Sequence, residues 1–329
     1  MTLRVGIGAM PYRPEAVEFV VQAERLGVDS VWCAEFWAGD AFTPLAYLAA
    51  RTSTIKLGSG IAQLGARTPA MLAMTALSMQ VLTHNRFILG LGTSGPQVME
   101  GWHGVSFDKP IERTRETIEI VRTISAGEKV GKIRSPIAAH IPIYIAALGP
   151  ANLRLTGELA DGWIGNSFMP EHAEVFFAPM REGGRFDDLD VTVAVGVEIT
   201  EDDAVFERHA RGYAFTFGAM GSETQNFYVD AFARQGYEDD VKAVQRLWRD
   251  GKRDDAAARV PVEIGEKTNL LGTPDMIKAR LRLYRDCGVT TLRCGVTDVA
   301  AANEENLAAK LDTLAQLIDL VDEVNREPR

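Results

Sequence analysis

NRFILGLGTSGPQVMEGWHG, running from Asn85 to Gly104, is the stretch on which the fold turns. Arg86 to Gly92 is a short apolar run of strand length, and Gly90, Gly92 and Gly95 then spell GxGxxG ahead of Pro96. The spelling matches the dinucleotide fingerprint superficially. That fingerprint requires the glycine turn to open a long helix, with a second strand and an acidic residue about 20 positions on. Here Trp102-His103-Gly104 interrupts, and no strand precedes the next long helix. One reading is that the glycines only permit a tight turn. The functional reading is that Thr93, Ser94 and the backbone N–H groups ahead of Pro96 form a concavity that accepts an anion at a helix start.

Outward from this stretch, short apolar runs alternate with amphipathic ones. Leu3 to Ala9, Ser30 to Ala34, Ile55 to Ile61, Arg86 to Gly92, Ile141 to Ala147, Gly162 to Asn166, Val191 to Ile199 and Thr291 to Val296 read as strands. Runs this apolar suit parallel strands covered on both faces. Helix starts are marked by Pro14, Pro44, Pro69, Pro150, Pro170 and Pro274, because proline fits the first helical turn, and Thr43, Thr68 and Thr273 are expected N-caps. The helices run at about Pro14 to Leu26, Pro44 to Thr52, Pro69 to Leu82, Ile111 to Ile124, Pro150 to Ala160, Pro170 to Arg181, Pro274 to Cys287 and Asn303 to Val324. Eight strands interleaved with helices, with no Gly/Ser-rich or Pro-rich linker, predict one α/β domain over residues 1–329, a (β/α)8 TIM barrel. The stretch from about Glu201 to Glu266 breaks the rhythm with charged and helical pieces, and reads as a helical insertion between strands 7 and 8.

The 329 residues are 46% hydrophobic and 24% charged, a soluble globular balance that excludes a disordered or coiled-coil chain. Lys plus Arg number 35 against 45 Asp plus Glu, and the net charge of -10 argues against nucleic-acid or anionic-membrane partners. Cys33, Cys287 and Cys294 are too scattered for a disulfide framework or a zinc pair. With no leader-like start and no apolar run of membrane-spanning length, a cytoplasmic protein is expected.

A barrel binds its ligand at the C-terminal strand ends. Those ends are Glu35-Phe36-Trp37, Gly60-Ile61-Ala62-Gln63, Thr93-Ser94-Gly95, Ala147-Leu148-Gly149, Asn166-Ser167 and Thr297-Asp298. No two of His84, His103, His140, His172 and His209 form a metal-ligand spacing, so no metal is expected. Only His103 falls on the active face, as a loop-fixing hydrogen-bonder or a proton-transfer group. Glu35, beside two aromatic rings, is the best-placed carboxylate, either an acid or ring contact or a salt-bridged rim residue. Phe36-Trp37 and Phe227-Tyr228 are the aromatic pairs that compete for a substrate-lining role. No GxSxG elbow, P-loop or Cys beside a base supports hydrolase or phosphate-transfer chemistry.

Five motifs in order carry a family resemblance: DSVWCAEFW (Asp29 to Trp37), IKLGSGIAQLGARTPAMLA (Ile55 to Ala73), the stretch from Asn85 to Gly104, ERTRETIEIVR (Glu112 to Arg122) and IPIYIAALGPANLRLTGELADGWIGN (Ile141 to Asn166). The chain resembles, over nearly its full length, the bacterial luciferase-like superfamily and its coenzyme F420-dependent branch. The resemblance implies a deazaflavin ring over Gly60, Ile61 and Ala62, with a non-prolyl cis peptide at Gly60-Ile61. It implies that Gly92, Thr93, Ser94, Gly95, Ala147, Leu148, Gly149, Asn166 and Ser167 hold the ribityl chain and phosphate, with Glu35 contacting the ring. In dehydrogenase relatives an acidic residue and a catalytic histidine end strand 2; here the pair is Glu35-Phe36, and the histidine is absent. Reduction is therefore expected, with His103 or Glu100 as proton donor and Phe36, Trp37, Trp102 and Phe227 around a small-molecule substrate. The resemblance also implies a homodimer. A reduced-FMN-dependent monooxygenase is the alternative, and a catalytically silent flavin-binding protein a third.

Overall fold

The computed structural model describes residues 2–35, 37–221, 225–295 and 304–328, apart from the side chains of 304–306. Eight parallel strands form the barrel: β1 (Arg4–Gly8), β2 (Ser30–Cys33), β3 (Lys56–Ser59), β4 (Phe87–Gly92), β5 (Ile143–Ala146), β6 (Gly162–Gly165), β7 (Asp190–Ile199) and β8 (Thr291–Gly295). Each pairs with the next in sequence, and β8 closes on β1 through Arg4↔Thr291 to Ile7↔Cys294. All eight expected strands are present, within a residue or two at most ends.

The period-2 alternation of a strand explains why these runs carry so little polarity. In β4, Phe87, Leu89 and Leu91 face the helices in the main core, while Ile88 faces the barrel interior with Trp32, Tyr144 and Ile164. Burying one such outward side chain contributes about 1.5–3 kcal/mol. The interior is filled by a few large rings beside glycines. A Cβ on Gly58 would stand 2.4 Å from the Trp32 ring, so the absent side chain makes room for the indole. At the N-terminal end a polar plug closes the barrel, where Asp190 accepts from Arg4 at 2.5 Å and from the Tyr144 hydroxyl at 2.6 Å. Among the described residues this leaves the C-terminal mouth as the open end of the barrel.

The helices Pro69–Leu82 and Pro274–Cys287 have the expected bounds, and Thr68 and Thr273 cap them by accepting from Met71 N and Met276 N. Thr43 is not a cap. Its helix starts earlier, at Phe42, because Asp40 Oδ1 accepts from both Phe42 N and Thr43 N at 2.8 Å. The expected helix from Pro170 to Arg181 is split into a 3-10 turn at Pro170–His172 and a helix at Glu174–Glu182.

Between β7 and β8 the chain forms helices at Ala204–Ala219, Phe227–Phe232, Glu238–Arg249, Arg253–Ala258 and Val262–Lys267. They share a core of Ala210, Phe217, Phe232, Val241, Val244 and Ile264, joined by Met169 from the loop after β6. The sequence reading missed Leu270–Gly272, a short strand that pairs with the end of β7, and an exposed hairpin of Lys129–Val130 with Ile133–Arg134. These segments are too short for periodicity to register. Among the described residues no helix is long and apolar enough to cross a membrane, and no cluster of three or more His, Cys, Asp or Glu is placed to hold a metal ion.

Candidate active site

The mouth is organised where the chain leaves β2 and β3. Gly60 N donates to Cys33 O at 2.8 Å and Glu35 N donates to Ile61 O at 3.2 Å. The Gly60-Ile61 peptide is cis, at the expected position. Ala62–Gln63 then pairs with the end of β4 through Ala62↔Leu91 and Gln63↔Gly92. The Ile61 side chain is seated against Gly92, 2.9 Å from where a Cβ there would stand. Gly92 therefore serves close packing at the strand end.

Glu35 is held in the ion-pair arrangement. Its carboxylate takes Arg67 at 2.7 and 2.9 Å and the Gln63 backbone N–H at 2.8 Å, and the Glu35 side chain is only 7% exposed. The Arg67 guanidinium also lies 4.8 Å above the Phe42 ring. Gln63 is buried and reads both sides of the mouth: its Nε2 donates to Glu35 O at 3.3 Å, and its Oε1 lies 2.6 Å from His103 Nε2. Glu35, Trp37, Asp40, Arg67 and His103 line a cleft of about 370 Å³.

Of the two expected proton donors, the fold brings only His103 to this cleft. Glu100 is exposed and accepts from Phe107 N at 3.1 Å, so it fixes the following loop. Trp37 and Trp102 are exposed large rings, while Phe227 is half-buried at the start of its helix. Phe36 and Thr297-Asp298 lie outside the described residues.

The residues expected to form a phosphate cradle follow β4, β5 and β6. Ser94 and Ser167 both have φ in the left-handed region, at 56° and 58°, which turns the backbone sharply after β4 and β6. Gly95 starts the short helix Pro96–Met99, and Thr93 Oγ1 donates to Ser94 O at 3.3 Å. Gly149 caps the helix Pro150–Leu159 without a side-chain partner, and a Cβ there would meet nothing within 4 Å. Free N–H groups at a helix start facing open space are the donor set an anion needs. Ser167 Oγ is buried with no partner among the described residues, as an absent ligand oxygen would leave it. The carbonyls contribute differently: Ala147 O accepts from Trp163 Nε1 and Leu148 O from Arg234. Asn166 is exposed and its Oδ1 accepts from Ser167 N at 2.8 Å. The residues present therefore fit a phosphate-bearing cofactor.

Sequence reasoning missed Arg67, Arg234 and Arg293, and gave Gln63 no role. Arg234 comes from the insertion, where no strand-end rule points to it, and burial lowers its pKa. Arg293 was visible as a charge inside the apolar run of β8.

The model of the luciferase-like monooxygenase family matches residues 2–291. Rv3520c of Mycobacterium tuberculosis, whose name places it among coenzyme F420-dependent oxidoreductases, is 36% identical over 334 aligned positions, covering 92% of this chain and 95% of its own. The 5,10-methylenetetrahydromethanopterin reductase of Methanolobus tindarius is 31% identical over 311 positions, covering 88% of this chain and 93% of its own. Among solved structures, the coenzyme F420-dependent tetrahydromethanopterin reductase from Methanopyrus kandleri shares the fold, with a TM-score of 0.75 over 96% of this chain and 98% of its own at 21% identity. With relatives of that kind and a family match over most of its length, the chain belongs to the luciferase-like monooxygenase family.

Proposed function

We propose that this protein is an oxidoreductase that binds coenzyme F420 and transfers a hydride between the deazaflavin C5 and a small organic substrate, in the reductive direction. The bound deazaflavin supplies two-electron hydride chemistry, because carbon replaces the nitrogen that ordinary flavins use with oxygen. The relatives named for F420 support the cofactor. The donor set at Ser94, Gly149 and Ser167 supports its phosphate.

The observation that carries the direction is the state of Glu35. Both its oxygens are engaged by Arg67, one of them also by the Gln63 amide, so the end of β2 offers no free base to draw a proton from an alcohol. Phe36 follows it, and a phenyl ring cannot accept that proton either. His103 remains, held at the cleft by Gln63, as the group that delivers a proton to the reduced product. The ring of Trp37, on the cleft wall, is placed to shield a bound substrate from water. A homodimer is supported by an exposed apolar strip on Pro69–Leu82, formed by Met71, Met74, Val81 and Leu82.

The experiment is equilibrium binding of F420 and of FMN, side by side, by quenching of cofactor fluorescence. It is followed by anaerobic reoxidation of reduced F420 against unsaturated and carbonyl compounds. Preference for F420 with substrate-dependent reoxidation supports the reading. Preference for FMN with oxygen-dependent turnover overturns it in favour of a monooxygenase, and tight F420 binding with no turnover in favour of a silent binding protein.

A further inference from the structure

Arg293 is the one residue of β8 whose charge the barrel does not explain. Leu292 and Cys294 face the outer core, so Arg293 between them faces the interior. Its register partners are Gly6 on β1 and Ala194 on β7, both small, which leaves the guanidinium space to cross the mouth. Arg293 Nη1 reaches the far wall, 3.2 Å from where a Cβ on Gly60 would stand. Nη1 itself is buried there and has no hydrogen-bond partner among the described residues, while the residue as a whole is half-buried.

A buried guanidinium nitrogen without a partner is costly, and among the described residues Nη1 is left in that state at the ligand-binding mouth. Burial pulls the Arg293 pKa down to about 10, and the nearby Tyr228 opposes that shift. The group therefore stays charged at neutral pH. Tyr228 is itself raised by burial and lowered by Arg293. Its helix is capped by Asn226, which accepts from Tyr228 N and Val229 N and donates to Phe217 O at 3.0 Å. A cation and a phenol, with no carboxylate paired to the cation among the described residues, make a site for an anionic oxygen.

The position in the barrel selects the ligand. The phosphate cradle lies at the ends of β4, β5 and β6, whereas β8 stands opposite β4 in the ring of eight. A cofactor anchored on the first wall, with its ring over Gly60, leaves the β8 wall for the substrate. We propose that Arg293, seconded by Tyr228, binds a carboxylate of the substrate, so that the molecule reduced is an unsaturated or carbonyl-bearing organic acid. This rests on the cofactor placement proposed above.

The test uses cinnamate and its neutral isostere cinnamamide, titrated by quenching of tryptophan fluorescence into the full-length protein with and without F420. The wild type should prefer cinnamate by about tenfold or more. Arg293→Gln should weaken cinnamate by about 30-fold or more while leaving cinnamamide affinity unchanged and costing F420, whose ring lies over the neighbouring Gly60, far less. Tyr228→Phe, which keeps the guanidinium, should cost cinnamate roughly 3- to 10-fold. Equal binding of acid and amide by the wild type overturns the proposal without any variant, even if Arg293→Gln fails to fold. A comparable loss of F420 affinity in Arg293→Gln also overturns it, by assigning the guanidinium to the cofactor. The titration without cofactor reads the carboxylate site alone. If F420 does not bind, the cofactor reading fails, and retained Arg293-dependent cinnamate binding still supports the carboxylate site.

Discussion

His103 Nε2 lies 2.6 Å from Gln63 Oε1, and the Glu35 carbonyl on the other side of the same amide decides which atom donates. A carbonyl only accepts, so Gln63 must turn its NH2 toward Glu35 and its oxygen toward the histidine. His103 therefore donates from Nε2 and has Nδ1 as its second ring nitrogen. A backbone carbonyl after β2 thus sets the proton arrangement of a side chain on the loop after β4.

If His103 delivers the proton, His103→Ala should lower kcat by about 10²- to 10⁴-fold while F420 affinity holds. Gln63→Leu keeps the imidazole but removes its tether, so its loss should be smaller and confined to kcat. Cofactor fluorescence and single-turnover reoxidation of reduced F420 separate the two readouts. A His103→Ala protein that turns over normally leaves His103 as a loop-fixing residue.

Ser94→Asp should weaken F420 binding by about tenfold or more, since it sets a carboxylate at the start of the phosphate cradle. Ser94→Gly supplies the control, because glycine adopts the positive φ of 56° without strain and adds no charge. Equal affinities for the two variants would move the phosphate to another loop.

The barrel was legible because its strands are apolar on both faces and its helices begin with proline. Pro69 and Pro274, each preceded by a capping threonine, marked their helices to the residue. Pro44 misled because Asp40, not Thr43, makes the cap, and both residue types favour that position. The strand-end rule pointed to Glu35, to the Gly60–Gln63 segment and to the active face that carries His103, and the family resemblance supplied the cis bulge, but neither gave the contacts these residues make. Gln63, Arg67 and Arg234 act through contacts far apart in sequence, and spacing does not encode such contacts. For Glu35 the sequence left a ring-contacting acid and a salt-bridged rim residue both open, and the neighbour that decides for the ion pair is an arginine 32 positions away.

Arg67→Ala tests that ion pair as a structural element. It would leave the Glu35 carboxylate, 7% exposed, without its cation. Breaking a buried pair from one side costs about 3–5 kcal/mol, and the partial exposure of Arg67, at 21%, brings the expectation to about 2–3 kcal/mol. Urea unfolding midpoints at pH 7 give the number. A loss below about 0.5 kcal/mol would mean that water replaces the guanidinium without penalty.

Gly157→Ala should destabilise the barrel although it adds one methyl group. The helix Pro150–Leu159 packs against Glu174–Glu182 so closely that a Cβ at Gly157 would stand 1.8 Å from Met180 O. Backbone cannot rotate away as a side chain can, so the helices must part, at about 1–3 kcal/mol or more. Thermal unfolding of the variant measures it, and an unchanged midpoint would mean that the two helices separate freely.

Glu24, on the stability face, gives the protein an acid-sensitive latch. Burial would raise its pKa, but the N–H groups of Ile55, Thr54 and Ser53 and the Thr54 hydroxyl all donate to Oε1, and the balance is a lowered pKa. These donors hold the loop that leads into β3, so the latch fixes the strand that carries the cis bulge. A depressed carboxylate contributes its full stability above its unfolded value, and loses it as pH falls through the folded value. Glu24→Gln should therefore be less stable than wild type by about 1 kcal/mol at pH 7, the scale of hydrogen bonds to a partly exposed charge. The gap should close once the pH falls below the ordinary glutamate value of 4.5 and on through the lowered one, where the wild-type carboxyl is itself neutral. Urea midpoints for both proteins, taken at pH 7 and again well below pH 4.5, make the comparison. A gap that stays constant would show that the four donors hold glutamine as well as they hold the carboxylate.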